Sequence, residues 1–286
     1  MIDRMDRQSL ITLLNSCGFS LKKGLGQNFL ISEEIPEKIA ESCADGDTGI
    51  IEIGPGAGIL TRSLCRRAKR VVAYEVDKSL EPVLEKTLEG ADNVTVIFED
   101  VLKADLQATV KELKKDCKRV AIAANLPYYI TSPIIMAILE KELDISSLTV
   151  MVQKEAAQRL CASLPSKEAG AVSVSVNYYT KPQILFGVDR SKFLPPPNVD
   201  SAVIRLDILK QPPIEVDDRD FFFKTVKAAF CYRRKTAVNS ISAYLNADKQ
   251  KVAAAIEHSG ANPNCRAQEL SLNQLGIISK FLKEEK

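Results

Sequence analysis

Four stretches of the chain end an apolar run with a residue that accepts hydrogen bonds. They are Glu52 in "EIGPGAGILT" (52–61), Glu75 in "YEVD" (74–77), Asp100 in "EDVL" (99–102) and Asn125 in "NLPYYITSPI" (125–134). Gly54, Gly56 and Gly58 alternate in the first stretch. Without Cβ atoms the backbone turns tightly there and lets a ligand approach. The helix start behind them offers unpaired N–H groups. Glu75 follows about 20 residues on, where an acid can accept from both hydroxyls of a ribose. Two nucleoside ligands suit this set. NAD usually takes G-x-G-x-x-G/A, and here Ile59 stands where the third small residue belongs. S-adenosylmethionine has no phosphate, so Glu52 is available to its amino group, whereas the same acid would repel a pyrophosphate. Asp100, at the third run, can accept from an adenine amino group.

Asn125 suits a second task, holding a planar amine. The lone pair of an adenine exocyclic amine is delocalised and weakly nucleophilic. Acceptors aimed at its two N–H groups favour a pyramidal nitrogen. The Asn125 side-chain oxygen supplies one acceptor and a carbonyl at Leu126 or Pro127 the other. Pro127 lacks a donor and biases Leu126 towards an extended conformation. Tyr128 offers a ring on which a splayed-out base stacks, worth about 1–3 kcal/mol. The methylated cation sheds its proton readily, so no strong base is needed.

These residues need a scaffold that brings strand ends together. Strand-like runs cover 49–53, 70–75, 94–98, 119–124 and 148–152, with helix-like stretches at about 58–68, 79–89, 106–116 and 132–142. Such alternation predicts an α/β domain, a mostly parallel sheet with helices on both faces. Residues 7–17 read as a helix, and 32–43 as a second one capped by Ser32. "GAVSVSVNYY" (170–179) and "DSAVIRLDI" (200–208) alternate more cleanly and read as a late, partly antiparallel edge. "KQPPIEVDD" (210–218) reads as a linker. Helices follow at about 219–231, 235–245, 248–259 and 271–283. The expected division is 1–209, with an N-terminal arm at 1–24, and a small all-helical domain at 212–286.

Bulk properties narrow the chemistry. The 286 residues carry 39 Lys+Arg against 37 Asp+Glu, a net charge of +2, so any nucleic-acid contact must use local charge. Seven cysteines lack a C-x-x-C pair, which points to reduced thiols in a cytoplasmic protein. The single histidine, His258, rules out histidine triads and argues against a metal site. The charged start "MIDRMDRQSL" is unlike a secretory signal. The most apolar window, 120–139, is broken by Asn125, Pro127, Ser132 and Pro133, so no membrane span is expected.

Taken in order, "LGQNFL" (25–30), "EIGPGAGILT", "YEVD", "EDVL", "NLPYYITSPI", "VQKEAAQRL" (152–160), "FLPPPNVDSAV" (193–203) and "RRKT" (233–236) resemble the ribosomal RNA adenine dimethyltransferases of the KsgA/RsmA type over nearly the whole chain. The resemblance implies a Rossmann-like class I methyltransferase domain followed by a helical domain, using S-adenosylmethionine. It implies that Gln27, Asn28 and Leu30 close over the methionine end of the cofactor and that Gly54 and Gly56 lie under it. Glu52 and Asn125 join this cofactor set, with Glu75 on the ribose and Asp100 on the adenine. Asn125, Leu126, Pro127 and Tyr128 would hold the target amine, and Phe193 would face the base opposite Tyr128. Without the resemblance, burial of Phe193 in a core is an equal expectation. The implied substrate is a pair of adjacent adenines in a hairpin near the 3′ end of small-subunit rRNA, each methylated twice. The implied partner is the immature small subunit, met by a monomer during ribosome biogenesis.

Two departures are visible. Ala169-Gly170-Ala171-Val172-Ser173 replaces a common Tyr-Gly-x-Leu-Ser, and Cys231-Tyr232 stands where Gln commonly precedes the arginines. Local positive charge sits at Lys22-Lys23, at Arg62, Arg66, Arg67, Lys69 and Arg70, and at Arg233-Arg234-Lys235, expected to open a helix. Of these, Lys22, Lys23, Arg233, Arg234 and Lys235 are the expected RNA contacts. Two alternatives stand beside this: an Erm-type large-subunit rRNA methyltransferase conferring macrolide resistance, and a non-catalytic ribosome-assembly factor.

Overall fold

The computed structural model describes residues 6–20, 22 and 26–284. The chain forms two compact units. One holds the residues up to Ala157 together with Gln183–Ile208, and the other holds Gln158–Pro182 and the residues from Leu209 onward.

The first unit opens with α1 (Arg7–Ser16), the short β1 (Phe29–Leu30) and α2 (Glu34–Cys43). The α/β alternation then runs β2 (Thr48–Ile53), α3 (Ile59–Arg67), β3 (Arg70–Glu75), α4 (Glu81–Thr87), β4 (Val94–Phe98), α5 (Leu106–Leu113), β5 (Arg119–Asn125), α6 (Thr131–Glu140) and β6 (Ser147–Gln153). After α7 (Lys154–Leu160) and α8 (Ala171–Tyr179) come β7 (Thr180–Val188), β8 (Phe193–Leu194) and β9 (Ser201–Ile208). Seven strands form one sheet in the order β4-β3-β2-β5-β6-β9-β7. The pairs from β4 to β6 are parallel, and β9 runs antiparallel to β6. Every residue of β2 is buried, as expected for a strand covered on both faces. The strand order reverses between β2 and β5, and a crevice forms outside the carboxyl ends of strands at such a point. β2 ends one residue after Glu52, β3 ends at Glu75, β5 ends at Asn125, and Asp100 follows β4.

The second unit contains α8, α9 (Arg219–Phe230), α10 (Ala237–Leu245), α11 (Lys249–His258) and α12 (Leu272–Glu284) around one core. The four last helices lie where the periodicity predicts them.

Three expectations need correction. Residues 171–179 form the helix α8 behind the capping Gly170, and not a strand. Gly170 N–H donates to Ser173 Oγ at 2.9 Å, which closes the first turn. Val174 and Tyr178, four apart, enter the core of Phe222 and Val226. The valine alternation misleads because α8 is buried nearly all round. This packing also moves the division of the chain, since 158–182 belong to the helical unit and not to a 1–209 domain. Finally, α2 starts after Glu33 with no side-chain cap, so Ser32 does not cap it.

Candidate active site

A cavity of about 240 Å³ lies in the first unit at the carboxyl ends of the sheet. Gln27, Asn28 and Leu30 line one side, and Glu52, Gly54 and Gly56 another. Glu75 and Asp100 come from the neighbouring strand ends, and Asn125, Leu126, Pro127 and Tyr128 from the end of β5. The structure thus brings together all the expected cofactor residues and four of the five residues expected to meet the target base.

The glycine loop runs through left-handed backbone, with φ of 70° at Gly54 and 57° at Gly56. A Cβ on Gly56 would stand 3.0 Å from the Phe29 ring, so only glycine fits without displacement. A Cβ on Gly54 would meet nothing within 4 Å, so open space lies beside it. Gly56 N–H donates to Glu75 Oε2 at 3.1 Å, and Asp77 N–H donates to Oε1 at 2.9 Å. Each carboxylate oxygen keeps a second acceptor direction. Burial pushes the Glu75 carboxyl up, against the backbone N–H groups that favour its charge.

Glu52 is buried at the floor, 1 % exposed. Burial pushes its carboxyl up to about 8, and the charge of Glu75 adds to this. The nearby Thr61 hydroxyl pulls the other way without reaching hydrogen-bond geometry, and neither Glu52 Oε2 nor Thr61 Oγ1 has a hydrogen-bond partner among the described residues. A buried carboxylate without a donor is costly, so this one suits a cation that arrives with a ligand. Glu52 would suit the ammonium of S-adenosylmethionine, Glu75 its ribose and Asp100 its adenine amine. The residues present therefore fit that cofactor.

Asp77, which motif reading passed over, lies beside the site and holds Gln27 of the cavity lining. Its buried carboxylate accepts from Lys22 Nζ at 2.6 Å, Gln27 Nε2 at 3.0 Å and Ser79 Oγ at 2.6 Å. Burial would raise its carboxyl, but these donors together hold it below the usual range. The Asp-x-Ser spacing after Glu75 was the available signal, a turn in which Asp77 also accepts from Ser79 N–H.

At the end of β5, Asn125 Nδ2 donates to the Asn28 carbonyl at 3.4 Å. That contact leaves Oδ1 as the acceptor on the other arm of the amide. The Pro127 carbonyl already accepts from Ile130 N–H at 3.2 Å and Thr131 Oγ1 at 3.1 Å. Of the two carbonyls considered as the second acceptor, Leu126 is thus the available one. The Tyr128 and Ser201 hydroxyls share a hydrogen bond of 2.7 Å.

Phe193 does not reach the cavity. It is 2 % exposed and packs in the core with Leu30, Ile35 and Val203. The two-residue strand β8 pairs with β1, Leu30 against Phe193, and this pairing turns the ring inward. Lys22 is not a free phosphate contact, because Asp77 and Ser79 hold its ammonium. Lys23 lies outside the described residues. Arg233, Arg234 and Lys235 are exposed in the turn between α9 and α10 and do not open a helix. The Lys235 ammonium lies 4.3 Å from the centre of the Tyr232 ring. Arg66 and Arg67 pair with Glu37, Arg67 also with Glu41, and Arg70 with Asp116. His258 sits against Phe281 in the second unit.

This sheet order, with acids at successive strand ends and an Asn-Leu-Pro-Tyr turn at the next, defines a Rossmann-like class I methyltransferase. Residues 18–284 match the family described as "Ribosomal RNA adenine dimethylase", and the chain belongs to that family. It is therefore an S-adenosylmethionine-dependent rRNA adenine methyltransferase. A protein of Bacillus licheniformis, "Ribosomal RNA small subunit methyltransferase A", is 46% identical over 95% of this chain and 94% of its own length. One of the same name from Staphylococcus aureus is 45% identical over 96% and 93%. The solved "dimethyladenosine transferase from Plasmodium falciparum" superposes with a TM-score of 0.73 at 25% identity, covering 90% of this chain and 98% of that one. The "23S rRNA methyltransferase ErmE" gives 0.66 at 27% identity, covering 90% and 100%.

Proposed function

We propose that this chain dimethylates two adjacent adenosines in a hairpin near the 3′ end of small-subunit rRNA, within an immature small subunit in the cytoplasm, acting as a monomer. The single observation that carries the chemistry is the meeting of Asn125–Tyr128 with Glu52, Glu75 and Asp100 in one cavity. The small-subunit target rests on the two relatives described above, which share far more identity with the chain than the large-subunit enzyme does.

When bound, S-adenosylmethionine supplies a methyl group made electrophilic by its sulfonium. Glu52 holds the ammonium end, Glu75 the ribose and Asp100 the adenine, with Gln27, Asn28 and Leu30 closing the methionine end. Asn125 Oδ1 and the Leu126 carbonyl accept the two N–H bonds of the target amine and favour its pyramidal form. Tyr128 stacks the extruded base, and hairpin bases are extruded at modest cost. Arg233, Arg234 and Lys235 position the RNA through its phosphates.

The test incubates the protein with labelled S-adenosylmethionine and two substrates, undermethylated small subunits and protein-free large-subunit rRNA. Dimethyladenosine in the small-subunit RNA alone is the expected result. Label in the large-subunit RNA would move the target to the Erm type. Label in neither, with the cofactor bound, would leave a ribosome-assembly role without catalysis.

A further inference from the structure

With Phe193 in the core, the segment "FLPPPNVDSAV" needs another reason to accompany the Asn-Leu-Pro-Tyr turn. We propose that Ser201 supplies it, as a positioning residue that fixes the ring of Tyr128 through its hydroxyl. Ser201 is fully buried, and Tyr128 is the hydrogen-bond partner of its hydroxyl at 2.7 Å, with no other among the described residues. A buried hydroxyl is costly unless paired, and an alanine would start a strand there equally well. The hydroxyl thus serves the tyrosine.

The anchor is stiff. Ser201 begins β9, opposite Gln153 of β6. The preceding Asp200 accepts from Lys154 N–H at 3.0 Å through its carbonyl and from Arg190 N–H at 3.2 Å through Oδ1. Tyr128 itself is only partly buried and lines the cavity, so its ring has open space to swing into when unpinned. Fixing the ring at its far end holds its face at one angle before a base arrives. That order is set in advance and need not be formed on binding.

This inference rests on Tyr128 as the base platform. The experiment measures methyl transfer to undermethylated small subunits and donor binding for the full chain and for S201A, Y128F, S201T, Y128A and the double variant S201A/Y128F. S201A and Y128F are each expected to lower kcat about tenfold, with donor Kd and RNA KM within about twofold, because misplacement and not binding is affected. The double variant should be no slower than either single one, since both remove the same bond. S201T should retain most activity, and Y128A should be slowest because it removes the ring. S201A or Y128F at the wild-type rate, or losses that multiply in the double variant, would overturn the role of Ser201 while a slow Y128A leaves the platform standing. Y128A at the wild-type rate would instead remove the platform itself.

Discussion

Glu52 carries the sharpest consequence at the scale of one residue. Its carboxyl stands near 8 in the protein alone, against an ordinary value of 4.5. At neutral pH the group is mostly protonated, and a ligand ammonium placed against it favours release of that proton. Donor affinity should therefore rise between pH 6 and about 7, before an α-amino group with pKa of about 7.7–8.0 loses much of its charge. Calorimetry in buffers of different ionisation heat should show a proton leaving on binding. E52Q should bind more weakly and lose both signatures. Stability has the opposite sign. A raised carboxyl holds its proton in the fold after the unfolded chain has lost it, so stability falls as pH climbs from 4.5 to 8. E52Q without ligand should melt higher than the parent at pH 8 and by less at pH 5. Asn125 gives a second test: N125A should retain RNA binding and lose at least about 100-fold in transfer rate, the scale for removing a positioned polar group. Glu52, Glu75, Asp100 and Asn125 were legible because each ends an apolar run. Ser201 was not, because its partner Tyr128 comes from a distant segment, and Asp77 showed only as an Asp-x-Ser turn, since its partner Lys22 is equally distant.

Among the elements, the turn between β2 and α3 couples backbone to site. G56A forces a side chain into left-handed backbone, at about 1–2 kcal/mol, and sets its Cβ 3.0 Å from the Phe29 ring. It also disturbs the N–H that holds Glu75. Donor binding should weaken at least tenfold by calorimetry. Gly90 is the control, with φ of 83° and open space for a Cβ. G90A should lose similar stability in a melting experiment and leave donor Kd unchanged. The parallel strands were legible because unbroken apolar runs separated by helical stretches have few other solutions. β7 was missed, since "TKPQILFGV" contains Pro182, which demotes a strand pattern. The strand is tolerated because it ends the sheet order, at an edge. α8 was misread for the opposite reason: its valines alternate, but Gly170, Ser173 and a buried surroundings favour the helix.

For the whole molecule, the question is how a chain of net charge +2 binds a polyanion. Phosphate contacts release counterions, so affinity falls with salt in proportion to the contacts made. Total charge is too small to set that slope, and local groups must do so. Many basic side chains are already committed to acids of the same chain. Arg66, Arg67 and Arg70 answer Glu37, Glu41 and Asp116, and Lys22 answers Asp77. Arg233, Arg234 and Lys235 are exposed on one turn of the helical unit, with an aromatic ring beneath the lysine. Replacing all three with alanine should weaken binding to small-subunit RNA. It should also flatten the plot of log affinity against log salt by about 2 to 3, since each lost phosphate contact removes about 0.7–0.9 from the slope. Donor affinity should be unchanged. Replacing Arg66, Arg67 and Arg70 should cost stability and leave the slope within about 0.5 of the parent, a shift smaller than one phosphate contact. A slope that falls equally in both variants would mean that the intramolecular pairs open on binding, and that RNA is held by the methyltransferase unit as much as by the helical one.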